Sequence, residues 1–283
     1  MCTGKSCGGS VKKLIKQNKQ SMNLILTLKL LLVPALIAGV TLAGRRWGPA
    51  VAGWLSAFPV VSAPILFFIA LDQGAAFAAN AAVGTLSAVL AILAFGLSYA
   101  WAATRYGWGL SLLAGFATYL AAVTALSLWR PGLWPAACAV LAALLLAPRL
   151  FPVAATSTPP ASAKSKDIHW RMTAGAILVL LVTHFSARLG PQLSGVFAMF
   201  PVMSSVLVVF SHRHAGAGFA INMLRGMVLG YYAFAVFCLS LALVLPALGL
   251  GGAFLTTLAG AVLAQAGSRV VLQRGRPQAL VRG

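Results

Sequence analysis

The chain keeps its charges out of long apolar runs, and those runs are separated by short basic stretches. Residues 75–102 are one such run, with no charged side chain from end to end. A hydrocarbon core of about 30 Å takes roughly 20 apolar residues wound as helix. Lipid offers no hydrogen bonds to the backbone, so a helix is the form that satisfies every amide within its own segment. The runs therefore predict an all-α, polytopic transmembrane helical bundle. Composition agrees: 60% of the 283 residues are hydrophobic and 8% are charged, whereas a soluble domain is about 25% charged.

Nine spans are expected, at 23–43, 49–70, 75–102, 108–128, 133–148, 172–188, 191–211, 216–245 and 248–266. The fifth, "LWPAACAVLAALLLAP", is the shortest but is too apolar to lie in water. The organisation follows. Residues 1–21 are a polar basic extension, 22–130 a first four-helix unit and 131–148 a linker transmembrane helix. Residues 149–171 are a polar linker, 172–266 a second four-helix unit and 267–283 a basic tail. The linker carries "ATSTPPASAKSKD", a flexible composition. Met22 opens an apolar run directly and is expected to be the native start. The run 22–43 ends on passable small residues for a signal-peptide site. Its counterpart at 172–188 predicts instead that it is retained.

The two units are copies. Sliding the chain by 142 residues brings Gly48, Pro49 and Gly53 onto Gly190, Pro191 and Gly195. Phe58, Pro59, Val60 and Ser62 then fall on Phe200, Pro201, Val202 and Ser204, and Phe77, Asn80 and Gly84 on Phe219, Asn222 and Gly226. No gap is needed. Chance readily matches Ala and Leu in apolar sequence; it does not readily match Gly, Pro, Asn and Phe in register. Duplication is the expected cause. Four helices return a chain to its starting side, so one extra span between the copies would invert the second. The expected architecture is two four-helix repeats, inverted and joined by a linker helix, as in many secondary transporters.

Charge supports that orientation. With Met22 outside, Arg45, Arg105, Arg149, Lys164, Arg213 and Arg269 fall inside, while Arg130 and Arg188 fall outside. That obeys the positive-inside bias. The rival arrangement has eight spans, parallel copies and both ends inside, with 133–148 not crossing.

In each copy, Gly-Pro opens a helix and a second proline falls near its middle. Pro59 is expected to kink its helix and release the carbonyl of Leu55, which the Ser62 hydroxyl could help to satisfy. Pro201 and Ser204 repeat the arrangement. Asn80 and Asn222 are costly facing lipid and are expected to face protein or a cavity. An inverted pair could bring Pro59, Ser62 and Asn80 towards Pro201, Ser204 and Asn222 near the midplane, where transporters place their substrate. Arg225 lies inside a span, where a charge needs a cavity, a partner or a route to headgroups. These seven residues are the candidate substrate site. Kinks, small residues and amides also simply pack membrane helices, and Arg225 could snorkel outward.

The stretches "AGWLSAFPVVSAPILFFIALDQG" and "SGVFAMFPVMSSVLVVFSHRHAG" resemble the core of the GlpM-like family of small four-helix inner-membrane proteins. The resemblance implies a fused tandem of two such units. It supplies no catalytic residues. The second copy departs from the pattern by placing His214 where the first has Asp72.

Much chemistry is missing. The only acids are Asp72 and Asp167, both outside the spans. That argues against a carboxylate proton relay and an acidic cage for Mg²⁺ or Ca²⁺. Cys2, Cys7, Cys138 and Cys238 lack metal-ligand spacing, and His212 and His214 fit headgroup contacts better than a metal site. No cofactor, metal or enzymatic activity is expected. The net charge of +19 fits anionic headgroups better than nucleic acid, given where the bases lie. The leading expectation is a bacterial inner-membrane permease for a small neutral or anionic solute. The alternative is a non-transport accessory or structural membrane protein.

Overall fold

The computed structural model describes residues 30–153, 166–188 and 200–274, together with Thr27. The basic extension 1–21, linker residues 154–165, residues 189–199 at the opening of the seventh expected span and the tail 275–283 lie outside the described residues. The helices are α1 (Leu30–Trp47), α2 (Pro49–Ser56), α3 (Ser62–Gln73), α4 (Ala75–Ala103), α5 (Trp108–Trp129), α6 (Leu133–Leu150) and α7 (Lys166–Arg188). A last helical run, Val202–Arg274, leaves helical geometry at Gly216 and Gly249. Its three arms are named α8 (202–215), α9 (217–248) and α10 (250–274).

Among the described residues, five stretches are long and apolar enough to cross a membrane: Leu30–Trp47, Ala75–Ala103, Trp108–Trp129, Leu133–Leu150 and Val202–Val270. By length and composition the chain is a multi-pass helical membrane protein. Its surface agrees. Leu113, Leu128, Leu255 and Leu263 are exposed on helices, which suits a lipid solvent and would be a liability in water. Trp47, Trp101, Trp108, Trp129 and Trp134 are also exposed and lie at helix ends. Amphipathic rings favour that level, at the border of lipid and water.

The expected kink at Pro59 is a break. The stretch 49–70 is two helices, α2 and α3, separated by non-helical residues 57–61. Proline lacks an amide and crowds the preceding turn, and here the chain unwinds rather than bends. The Leu55 carbonyl takes the Phe58 amide at 3.3 Å. The hydroxyl serving this end is that of Ser56, donating to the Gly53 carbonyl at 2.7 Å, not that of Ser62. Boundaries elsewhere differ modestly from those expected. Helix α7 starts inside the expected linker, and α6 runs on to Leu150 past Pro148.

Sequence-matched positions share local structure. Val60 donates its amide to the Phe58 carbonyl at 2.8 Å, and Val202 to that of Phe200 at 2.7 Å. Ala63 bonds the Pro59 carbonyl at 2.9 Å, and Ser205 bonds that of Pro201 at 2.9 Å. Gly74 turns α3 into α4 at φ 87, ψ 166, and Gly216 turns α8 into α9 at φ 83, ψ 170. A positive φ of this kind favours glycine. Phe95 and Phe237 are both fully buried.

The two matched corners lie at opposite ends of α4. Gly74 immediately precedes its first residue. At its other end Tyr99 meets His212, just before Gly216, with its hydroxyl 3.1 Å from Nδ1. A Cβ built on Gly96, nearby on α4, would lie 3.5 Å from Leu224 Cδ2 on α9. Helix α9 thus starts where α4 finishes.

The halves interlock. Helix α2 lies against α9 backbone to backbone: a Cβ on Gly53 would meet the Met223 carbonyl, one on Gly226 the Ala50 carbonyl, and one on Gly230 the Trp54 carbonyl. Phe67 of α3 packs edge-on against Phe254 of α10 at 5.1 Å. Phe200, leading into α8, packs on Phe116 of α5 at 4.9 Å. Without a hydrophobic force between helices in lipid, small residues and close approach carry such association. Sequence-matched positions are not covered alike. Phe219 is 8% exposed and its match Phe77 is 54% exposed. Gly226 is packed against α2, whereas a Cβ on its match Gly84 meets open space among the described residues.

That contrast predicts unequal outcomes for one chemical change. Gly226→Ala pushes a methyl into backbone and is expected to destabilise the protein by about 2 kcal/mol. Gly84→Ala should leave thermal unfolding in detergent unchanged or slightly raised. Equal losses from both would contradict the α2–α9 contact.

Candidate functional site

The helix break at residues 57–61 and the turn at residues 200–202 place polar backbone beside an apolar bundle. Irregular backbone at membrane depth persists only where protein or a cavity satisfies it. At the first break, α2 ends with the Trp54 carbonyl released from its helical bond. Gln265 of α10 takes it, donating from Nε2 at 2.9 Å. The Trp54 indole Nε1 donates in turn to Ser268 Oγ at 2.8 Å. The broken end of α2 is thus completed by side chains of α10.

Pro59 is buried in the break, and Ser62 is the half-buried first residue of α3. Pro201 is buried just before α8. Ser204 Oγ lies 3.4 Å from the Tyr231 hydroxyl on α9. That pair borders a small cavity between the halves, also lined by Leu93, Gly96, Phe151 and Met227. It is the polar feature of an otherwise apolar enclosure. The described contacts give the two breaks different neighbours: α9 and α10 for Ala57 and Trp54, and α5 for Phe200, which is also 5.8 Å from Tyr119.

The two asparagines do not meet at the midplane. Asn80 is exposed, early in α4 at the Gly74 end, and Asn222 is half-buried, early in α9 at the Gly216 end. Helix α4 has 29 residues, or about 43 Å of length at 1.5 Å per residue. Two residues near opposite ends of it are separated by much of the bundle's depth. Arg225 is half-buried, and its Nη2 donates to the Pro148 carbonyl at 3.3 Å. The last carbonyls of a helix carry the negative end of its dipole, so Arg225 serves the end of α6 rather than the cavity beside Ser204.

Sequence reasoning overlooks Gln265 and Tyr231. Gln265 carries a signal, since an amide within an apolar span needs a partner. Tyr231 carries none, because its match in the first copy is Val89. Among the described residues, no group of three or more His, Cys, Asp or Glu side chains could hold a metal ion.

No protein-family model, curated protein or solved structure matches this chain.

Gln265→Leu removes the partner of the Trp54 carbonyl and leaves a buried acceptor unsatisfied. A loss of roughly 1–2 kcal/mol is expected, read as a lower midpoint of thermal unfolding in detergent. An unchanged midpoint would mean that the carbonyl finds another donor.

Proposed function

We propose that this protein is a bacterial inner-membrane permease in which a small neutral or anionic solute passes between two inverted repeats of a duplicated, GlpM-like four-helix unit. The observation that carries this reading is a pair of matched backbone turns. Phe58-Pro59-Val60 leads into α3 and Phe200-Pro201-Val202 into α8 with the same two backbone hydrogen bonds, and each stretch is packed against the other half of the chain. Discontinuous helices at the interface of inverted repeats are a recurring way to build a solute site, because unwound backbone offers polar groups without charged side chains. The placement of matched corners at opposite ends of α4 supports inversion. Around the breaks, Pro59, Ser62, Pro201 and Ser204 are the residues proposed to line the path, with Tyr231 added by its closeness to Ser204. Asn80, Asn222 and Arg225 are left at its ends.

Two measurements test this. Reporters fused before Met22, within 149–171 and at Gly283 are expected to place the linker and Gly283 on one side and the N-terminal fusion on the other. Both ends on the same side would sink the inverted reading. In liposomes, purified protein is expected to accelerate entry of at least one small neutral or anionic solute. Pro59→Ala combined with Pro201→Ala, which removes the proline constraint from both turns, should slow that entry about tenfold, equivalent to about 1.4 kcal/mol of barrier. Liposomes with protein that behave like empty ones across the solutes tried would leave the accessory role as the better account.

A further inference from the structure

A second, wider recess opens between the halves at the Gly216 end of the bundle. It is lined by Thr41 and Arg45 of α1, Arg171 of α7, and Ser211 and His214 of α8. Three helices from both copies thus bring two arginines, two hydroxyls and an imidazole to one concavity. We propose that this recess binds an oxyanion, a phosphate or phosphate ester group, between Arg45 and Arg171.

Several observations converge on that ligand class. Arg171 is 6% exposed, and its guanidinium lies over the Phe210 ring at 5.3 Å. A guanidinium is a planar fork of donors that matches the geometry of an oxyanion. Thr41 is 7% exposed, and its Oγ1 is buried with no hydrogen-bond partner. An unspent buried hydroxyl is costly and suits a ligand oxygen. Ser211 is 3% exposed and donates to Met223 Sδ at 3.4 Å. A thioether is a weak acceptor that an anionic oxygen outcompetes. The charge balance also points one way. The chain has two acids. Asp72 precedes the Gly74 corner at the other end of α4, and Asp167 lies one helical turn before Arg171. Against these two acids stand 21 lysines and arginines, a net charge of +19. Charge-assisted bonds from paired arginines are the strong, oriented way to hold phosphate oxygens. Basic pockets between membrane helices at the positively charged side also take phospholipid headgroups. A free phosphate and a headgroup offer the recess the same chemistry.

This inference does not rest on solute passage, since binding is read without flux. The full chain, purified in a neutral detergent, is titrated with inorganic phosphate. In parallel it is reconstituted in phosphatidylcholine bilayers with and without phosphatidylglycerol, and retained lipid is counted by native mass spectrometry. Saturable binding in at least one arm is expected. A response to phosphate identifies a free-anion site, and selective retention of phosphatidylglycerol identifies a headgroup site. Arg171→Gln should weaken the binding at least about tenfold, as loss of a charge-assisted contact does. Thr41→Val preserves shape and should weaken it while raising the unfolding temperature of the empty protein, a gain that a merely structural hydroxyl would not give. Arg105→Gln, an exposed change outside the recess, should do neither. If Arg171→Gln does not fold, Thr41→Val and Arg45→Gln decide. Absence of saturable binding in both arms overturns the proposal. So does binding that Arg105→Gln weakens as much as the recess variants, because it then follows the general field of the protein.

Discussion

Backbone polar groups have no partner in lipid, and the rest of this structure depends on how the helix break at residues 57–61 meets that demand. Proline in a span forbids a continuous hydrogen-bonded ladder. Here the ladder stops instead of bending, and the exposed groups are satisfied from outside the helix. The Trp54 carbonyl is taken by Gln265, while Val60 and Val202 close short local turns. A broken helix cannot stand alone in a membrane, so the break requires a neighbour close enough to complete it. The glycines supply that closeness. Gly226 and Gly230 on one side and Gly53 on the other let α2 and α9 touch along their backbones, an approach that any side chain would prevent.

The same interlocking explains where function can reside. The two halves of the chain share an interface, across which Gln265 completes the broken end of α2. The Ser204–Tyr231 pair is the polar feature of the cavity there. Charge gathers instead at one end, where Arg45 and Arg171 converge from α1 and α7 and Arg225 meets the end of α6. A weakly polar middle and a strongly basic end are different chemical environments. The first suits brief contact with a solute, the second retention of an anion, and the two readings stand or fall separately.

Much of this architecture is legible in the order of the amino acids. The charge-free runs 75–102, 108–128 and 133–148 fall within a few residues of α4, α5 and α6, and the 142-residue offset pairs positions that share backbone geometry, such as Gly74 with Gly216. Pro59 marks a disturbance, although a break stands where a kink is expected. Proline shows that the ladder must fail but not whether the chain bends or unwinds, because that depends on which groups are near enough to take the released carbonyls. Asn80 and Asn222 match as sequence and do not meet in space, since one lies early in α4 and the other early in α9, and those helices begin at opposite ends of the bundle. Thr41, Ser211 and Tyr231 give no sign of their roles, because a hydroxyl in an apolar run looks alike whether it bonds its own helix or faces a cavity.

The sequence by itself determined that this chain is a helical membrane protein with two halves that match in register, because period, length and charge placement are local properties that lipid reads directly. Only the tertiary structure decided that each half lends groups to the other, that Phe77 and Phe219 have different surroundings despite their matched places in the chain, and that arginines far apart in sequence converge on one recess. Those outcomes depend on distances between helices, and interhelical distance is set by which backbones can approach, a quantity that no single segment encodes.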